Sequence, residues 1–215
     1  MKIAHLPVYE GLVNVSLGAM RREYLTDFVP WANNPEATAG VLIRPPVTLE
    51  EELAWYDGFA KHKDTDNIFA ILLQKKKRKG KTEYQYIGHT GLHKITWPAG
   101  TGSTGSIIGL PHLFGKGYGT EAKLLLLYHA FFVKGLRKVV SRVKVFNSNS
   151  WGHLLKCGYE VVGRHRAHHL HESKFVDEVV LEVFKEDFLP IWENYQKTKT
   201  LPSLTKQQRG LVSSR

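Results

Sequence analysis

Residues 114–122 read Phe114-Gly115-Lys116-Gly117-Tyr118-Gly119-Thr120-Glu121-Ala122. They follow the strand-like run Ile107-Ile108 and open a long apolar segment with helical spacing. Three alternating glycines let the backbone turn tightly and come close to a ligand. The first helical turn after them carries N–H groups without intrahelical partners, and with the helix dipole these make a natural anion site. The dipole alone contributes about 0.3–1 kcal/mol, so several aligned N–H groups have to act together. Two familiar phosphate loops do not fit. A Walker A loop needs G-x-x-x-x-G-K-[ST], whereas here Gly109 and Gly115 enclose five residues and Gly117 stands where Ser or Thr is required. A dinucleotide fingerprint needs G-x-G-x-x-G, and this stretch gives G-x-G-x-G. A glycine-rich turn that holds no ligand is the simpler alternative.

The length of 215 residues suits one domain with a sizeable core, and 42% hydrophobic content is ordinary for a soluble globular protein. No run approaches the roughly 20 apolar residues that span a bilayer. Met1 to Pro7 lacks the apolar region of a signal peptide. The single cysteine, Cys157, excludes an internal disulfide and suits a reducing compartment, so a cytoplasmic location is expected. A net charge of +10 is compatible with nucleic acid, a membrane surface or a polyanionic small ligand. Much of the excess is local: Lys75-Lys76-Lys77-Arg78-Lys79-Gly80-Lys81 is one basic run, and Lys197, Lys199, Lys206, Arg209 and Arg215 are another.

Leu12 to Leu17 alternates as a strand. Ala19 to Val29 reads as a helix stopped by Pro30, and Asn33-Asn34-Pro35 as a turn. Thr48 and Glu51 form a T-x-x-E capping box before Leu49, Leu53, Tyr56 and Ala60. Trp55, Tyr56 and Phe59 are read as core packing or as lining for a substrate pocket. Ile68–Leu73 and Tyr84–Trp97 make a hairpin whose basic tip is either a solvated loop or a polyanion-binding patch. Pro98 to Gly105 reads as a flexible turn into the strand Ser106–Leu110. The helix after the glycine loop runs to about Lys134, with Gly135 as its stop and His129 as a core histidine on its apolar stripe. Val139–Phe146 is a strand, Asn147-Ser148-Asn149-Ser150 caps a short helix, and Phe175–Phe184 is the last long strand. His165, His168, His169 and His171 crowd a turn. No regular H-x-x-x-H on a helix is evident and the cysteine lies outside the cluster, so no metal site is expected. The order of elements is α+β, or mixed α/β, with helices against a twisted sheet. One domain over residues 1–197 is expected, with 198–215 a basic, flexible tail.

At Gly115 to Ala122 the chain resembles the GNAT-family N-acetyltransferases of the RimJ/RimL-like branch, whose pyrophosphate loop often reads G-K-G-Y-[GA]-T-E-A. Phe114 stands where the family usually has Gln or Arg. The same branch has N-x-x-S before a short helix and then K-x-G-[FY], matched by Asn147–Ser150 and Lys156-Cys157-Gly158-Tyr159. Asp177 falls where the branch commonly has an acid. The resemblance covers roughly residues 12–190. It implies a mostly antiparallel central sheet with a V-shaped gap, and acetyl-CoA as co-substrate. Ile107 and Ile108 would offer backbone groups to the pantetheine arm. Phe114, Gly115, Lys116, Gly117, Tyr118, Gly119 and Thr120 would hold the pyrophosphate, and Asn147 would reach the arm from the other side.

The reaction that the resemblance implies is direct acetyl transfer to a primary amine, either a protein N-terminus or a small molecule. A lysine-type amine, with a pKa of about 10.4, costs about 4–5 kcal/mol to neutralise at pH 7, whereas an α-amino group at about 7.7–8.0 costs far less. The leaving thiolate needs a proton donor, and Ser150 is the candidate. Many relatives carry a glutamate on the strand before the loop, but Gly105-Ser106-Ile107-Ile108-Gly109 has no acid. His89, His93 and His112 are the substitutes, His112 being nearest the loop and His89 on the preceding strand. Two other classes stay open: a nucleic-acid or polyanion-binding module built on the basic segments, less favoured, and an acyl-CoA sensor without turnover. No membrane partner is expected, and monomer and homodimer are both compatible with the sequence.

Overall fold

Ala70, Ile71 and Leu72 are all buried. Successive side chains of a strand point to opposite faces, so the strand that holds them is covered on both sides. A computed structural model, which describes residues 7–41, 45–78 and 81–213, places it third in a sheet of eight strands. The strands are β1 (Pro7–Tyr9), β2 (Val15–Ala19), β3 (Asn67–Arg78), β4 (Lys81–Thr96), β5 (Thr101–Ile108), β6 (Lys138–Lys144), β7 (Glu160–His171) and β8 (Lys174–Phe184). Their spatial order is β1-β2-β3-β4-β5-β6-β8-β7. Every pairing is antiparallel except β5 with β6. The expected α+β architecture is therefore the observed one. Among the described residues no helix is long and apolar enough to cross a membrane.

One face carries α1 (Tyr24–Ala32), α2 (Pro35–Thr38) and α3 (Leu49–Phe59). Met20, Tyr24 and Leu25 pack there on Ala70, Leu72 and Tyr86. The other face carries α4 (Tyr118–Tyr128), α5 (Ser148–Lys156), α6 (Lys185–Thr198) and α7 (Lys206–Ser213). Leu124 to Leu127, Trp151, Leu154 and Phe188 meet Val15, Leu17, Ile71, Val139 and Leu181 in the main core. Thr120 to Leu127 are buried without a break, so α4 is enclosed on all sides. A π turn, His129–Val133, extends it, and Gly135 ends it at φ +69°. His129 is a core histidine: Tyr9 Oη lies 2.7 Å from Nδ1 and Asn67 Oδ1 2.9 Å from Nε2. The Thr48–Glu51 capping box forms, with the Thr48 N–H on Glu51 Oε2 at 2.9 Å and the Glu51 N–H on Thr48 Oγ1 at 3.3 Å.

Several elements differ from the sequence reading. Pro30 does not stop α1; it lies exposed in the last turn, where Asn33 N–H still reaches the Val29 carbonyl at 3.2 Å. The segment expected as a flexible turn up to Gly105 is strand from Thr101, because its small residues pair with β4 and β6 at once. The four histidines lie in β7, not in a turn. Residues 199–213, expected as a flexible tail, pack back: Leu201, Leu204 and Val212 lie on the main core, and Gln208 Nε2 donates to the Leu155 carbonyl at 3.1 Å. The basic hairpin tip at 79–80 lies outside the described residues.

Glu121, from the glycine-loop motif, is fully buried in the first turn of α4. Its carboxylate accepts the N–H groups of Val13 (2.8 Å), Asn14 (2.7 Å) and Val15 (2.9 Å) and the Tyr195 hydroxyl (2.6 Å). Hydrogen bonds to a charged acceptor contribute about 1.5–3 kcal/mol each, and a buried donor left unpaired costs about 1–3 kcal/mol. Glu121→Ala is therefore expected to lower the unfolding free energy by at least about 3 kcal/mol, read as a fall in the urea midpoint at unchanged slope. A loss below about 1 kcal/mol, less than a single such bond, would contradict this role.

Candidate active site

Strands β5 and β6 run side by side from Thr101↔Lys138 to Thr104↔Ser141. Beyond that point β5 continues to Ile108 paired with β4 alone, and β6 to Lys144 paired with β8 alone. The two strands part, and a cleft of about 830 Å³ passes between them. At the apex Thr104 Oγ1 meets Ser141 Oγ and lies 3.1 Å from the hydroxyl of the buried Tyr159.

Side-chain alternation divides the cleft walls. Ile108, Gly119, Lys123, Ser150 and His153 come from the α4–α5 side. Ile107, His89 and His93, with Ala37 and Gly40 of the α2 region, come from the α1–α3 side. Thus Ile107, Ile108, Phe114, Gly119, Asn147, Ser150 and His89, all singled out in the sequence, line one cavity. His112 does not; it is exposed on the turn Pro111–Leu113. Trp55 lines the cleft, whereas Tyr56 packs under α1 and donates to the Met20 carbonyl at 3.2 Å.

The loop turns because Gly115 and Gly117 adopt φ +73° and +87°, where a side chain is strained. Gly119 needs no such freedom: a Cβ there would meet only ordinary contacts, 3.9 Å from Ile108 and 4.0 Å from His153. Its missing side chain leaves the helix N-terminus open to the cleft. Lys116 is exposed, Tyr118 packs on the core, and buried Thr120 accepts the Cys157 thiol through its carbonyl. Asn147 caps α5 by accepting the Ser150 N–H at 3.1 Å and ties it to α2 through the Gly40 carbonyl at 3.2 Å.

Burial, reinforced by the neighbouring His93, pushes the His89 imidazole down to about 4, so it is neutral near pH 7. Its Nδ1 lies 3.3 Å from Tyr86 Oη and its ring tilts against Phe28. His93 Nδ1 lies 3.0 Å from Asp66 Oδ1. Burial would raise the Asp66 carboxyl, but hydrogen bonds from Thr65 and His93 outweigh it and hold it low. An imidazole oriented by a carboxylate at one nitrogen offers the other for proton transfer.

The family profile of the acetyltransferase (GNAT) domain matches residues 14–160. The chain belongs to the GNAT acetyltransferase family. As a GNAT acetyltransferase it uses acetyl-CoA as co-substrate. Among solved structures, the spermidine N-acetyltransferase of Vibrio cholerae, in complex with CoA and spermine, superposes with a TM-score of 0.71 at 19% identity, over 81% of this chain and 98% of that one. An acetyltransferase structure from T. thermophilus gives a TM-score of 0.68 at 25% identity, over 92% of this chain and 100% of that one. No curated protein matches the sequence.

Sequence reasoning missed the apical hydroxyls, His153 and Lys123. Lys123 is 1% exposed, lines the cleft, and has no hydrogen-bond or ion-pair partner among the described residues. Its place after Glu121-Ala122 on an otherwise leucine-rich face was the available signal. Burial pushes its ammonium down to about 8 and the His153 imidazole, with Lys123 beside it, to about 3. The unfolded chain holds the Lys123 proton up to about pH 10.5 and the folded chain releases it near 8. Between those values the unfolded state binds more protons, so stability rises with pH. Subtracting the stability of Lys123→Met from wild type should give a difference that climbs by about 3 kcal/mol from pH 8 to 10.5. A difference flat in pH would contradict the buried, unpartnered ammonium.

Proposed function

We propose that this GNAT acetyltransferase is of the RimJ/RimL-like branch and acetylates a small-molecule primary amine. The parting of β5 and β6 beside the Phe114–Thr120 loop carries the reading. It offers one opening through the sheet, with the loop and α5 on one side and histidines and acids on the other. Acetyl-CoA would enter from the α4–α5 side. Its pyrophosphate would rest on the amides of Gly115 to Thr120, and its arm would lie along Ile107 and Ile108. Lys123 would add positive charge beneath it. Asn147 serves by holding α5 and α2 at the mouth, since its amide is already engaged on both ends.

The amine would approach from the α1–α3 side, where Trp55, Glu36 and Glu178 line the cleft. The size of the cleft is in the range of small-ligand sites, and Glu36 and Glu178 favour an ammonium ion against the cations Arg142 and Lys144 that share the lining. The Vibrio cholerae neighbour, named as a spermidine N-acetyltransferase, supports a small amine as the substrate class. His93, oriented by Asp66 and paired across the sheet with Ser103, would accept the amine proton. His89, neutral beside it, would pass the proton through water, and His112 has no part in the reaction. Attack on the thioester carbonyl gives a tetrahedral oxyanion, and the departing thiolate would take its proton from Ser150.

Thiol release from acetyl-CoA, followed across a panel of small primary amines and one N-terminal peptide, tests the reading. A small amine is expected to be turned over faster than the peptide. Positioned bases contribute about 10²–10⁴-fold, so His93→Ala should lower kcat at least about tenfold without changing acetyl-CoA affinity. Turnover of the peptide alone, or an unchanged kcat, would overturn the corresponding half of the proposal.

A further inference from the structure

At the acceptor end of the cleft, on the wall that includes His169 and Glu178, three histidines of β7 converge on one carboxylate of β8. His165 pairs with Glu178 and His169 with Val176, so three residues of β7 face only Asp177 between them. In a regular strand residues 165 and 168 would point to opposite faces. The bulge turns Ala167 to φ +51°, and Asp177 fastens it by accepting the Ala167 N–H at 2.8 Å and pairing with the Arg164 guanidinium. The result is a buried Glu178 carboxylate with His165 Nδ1 at 3.1 Å and His168 Nε2 at 3.8 Å from Oε1, and His169 Nε2 at 2.7 Å from Oε2.

We infer that His165, His168 and Glu178 form a binding site for a divalent cation of the zinc class, with His169 as the residue that orients the carboxylate. The ligand atoms of the three residues all lie within 4.8 Å of one another. A tetrahedral zinc ion with bonds of about 2.0–2.2 Å sets its ligands about 3.4 Å apart, and the two imidazole–carboxylate separations bracket that value. Two imidazoles and one carboxylate are a known zinc ligand class that keeps a position open for water. Imidazole suits zinc, copper and nickel, whereas magnesium and calcium take oxygen shells. The His165 and His168 side chains are each 46% exposed, so a cation reaches them from solvent and they are free to close on it. The site adjoins the acceptor end of the cleft, whose wall includes His169 and Glu178.

The test is titration of zinc into the chelator-treated, untagged full chain by calorimetry, with cobalt absorption as a second readout. Wild type is expected to bind one zinc ion and to give the intense visible bands of four-coordinate cobalt, with magnesium failing to compete. His165→Ala and His168→Ala, both at exposed positions, should each weaken zinc at least tenfold. Orienting partners typically contribute about 10–100-fold. His169→Ala should therefore weaken binding about tenfold or more, and His169→Gln, which keeps an N–H donor, should restore most of it. His171→Ala, whose ring stacks on Phe146 away from the carboxylate, should change nothing. No zinc binding by wild type, weak aqueous-type cobalt bands, or affinity indifferent to the His165 and His168 substitutions would overturn the site. None of these readouts depends on acetyl transfer.

Discussion

A single buried carboxylate fixes where the glycine loop points. Glu121 sits two residues beyond Gly119, and its four accepted hydrogen bonds tie the first turn of α4 to the backbone leading into β2 and to α6. Tyr195 completes the tie by accepting the Leu12 N–H at 2.8 Å. The open N–H groups of the helix can serve as an anion site only if that turn is held rigidly against the sheet. Three backbone dipoles and a hydroxyl solvate the charge in place of water, which is what a buried carboxylate without a cation requires.

The sheet supplies the second constraint. Strands β5 and β6 must pair long enough to be held and then separate, and the change of neighbour at Thr104 and Ser141 does this without a break in either strand. The opening leaves polar groups in the interior. The Thr104–Ser141–Tyr159 hydroxyls satisfy one another, whereas Lys123 faces the cleft without a partner among the described residues. A buried ammonium kept at such a cost is what a ligand-binding wall shows when stability gives way to function.

The parts of this design that are local were legible in the sequence. The glycine loop, the Thr48–Glu51 box and the Asn147 cap are each written within four to nine residues, and each forms as read. What depends on distant pairing was not. Thr101 to Gly105 looks like a loop because threonine, serine and glycine favour turns, yet these residues lie between two strands that claim their backbone. Residues 199–213 look like a polar tail, and only the folded main core, with Leu201 beside Gly117, gives Leu201 and Leu204 a place to pack. Within the site, the cleft-lining histidines His89 and His93 could not be told from His112 by spacing. The register of β4 and β5 separates them. The histidines of β7 were misplaced for a similar reason, since a bulge and not a helical or turn spacing brings them together.

Calorimetric titration of acetyl-CoA into wild type and Gly119→Leu tests the central claim most directly. Residue 119 has room for a side chain within the fold and negative φ, so the substitution leaves the protein folded while a leucine fills the open helix end. The account predicts tight binding by wild type and a loss of at least tenfold in the variant at unchanged thermal stability. Equal affinity in the two proteins would contradict it and move the cofactor away from this loop.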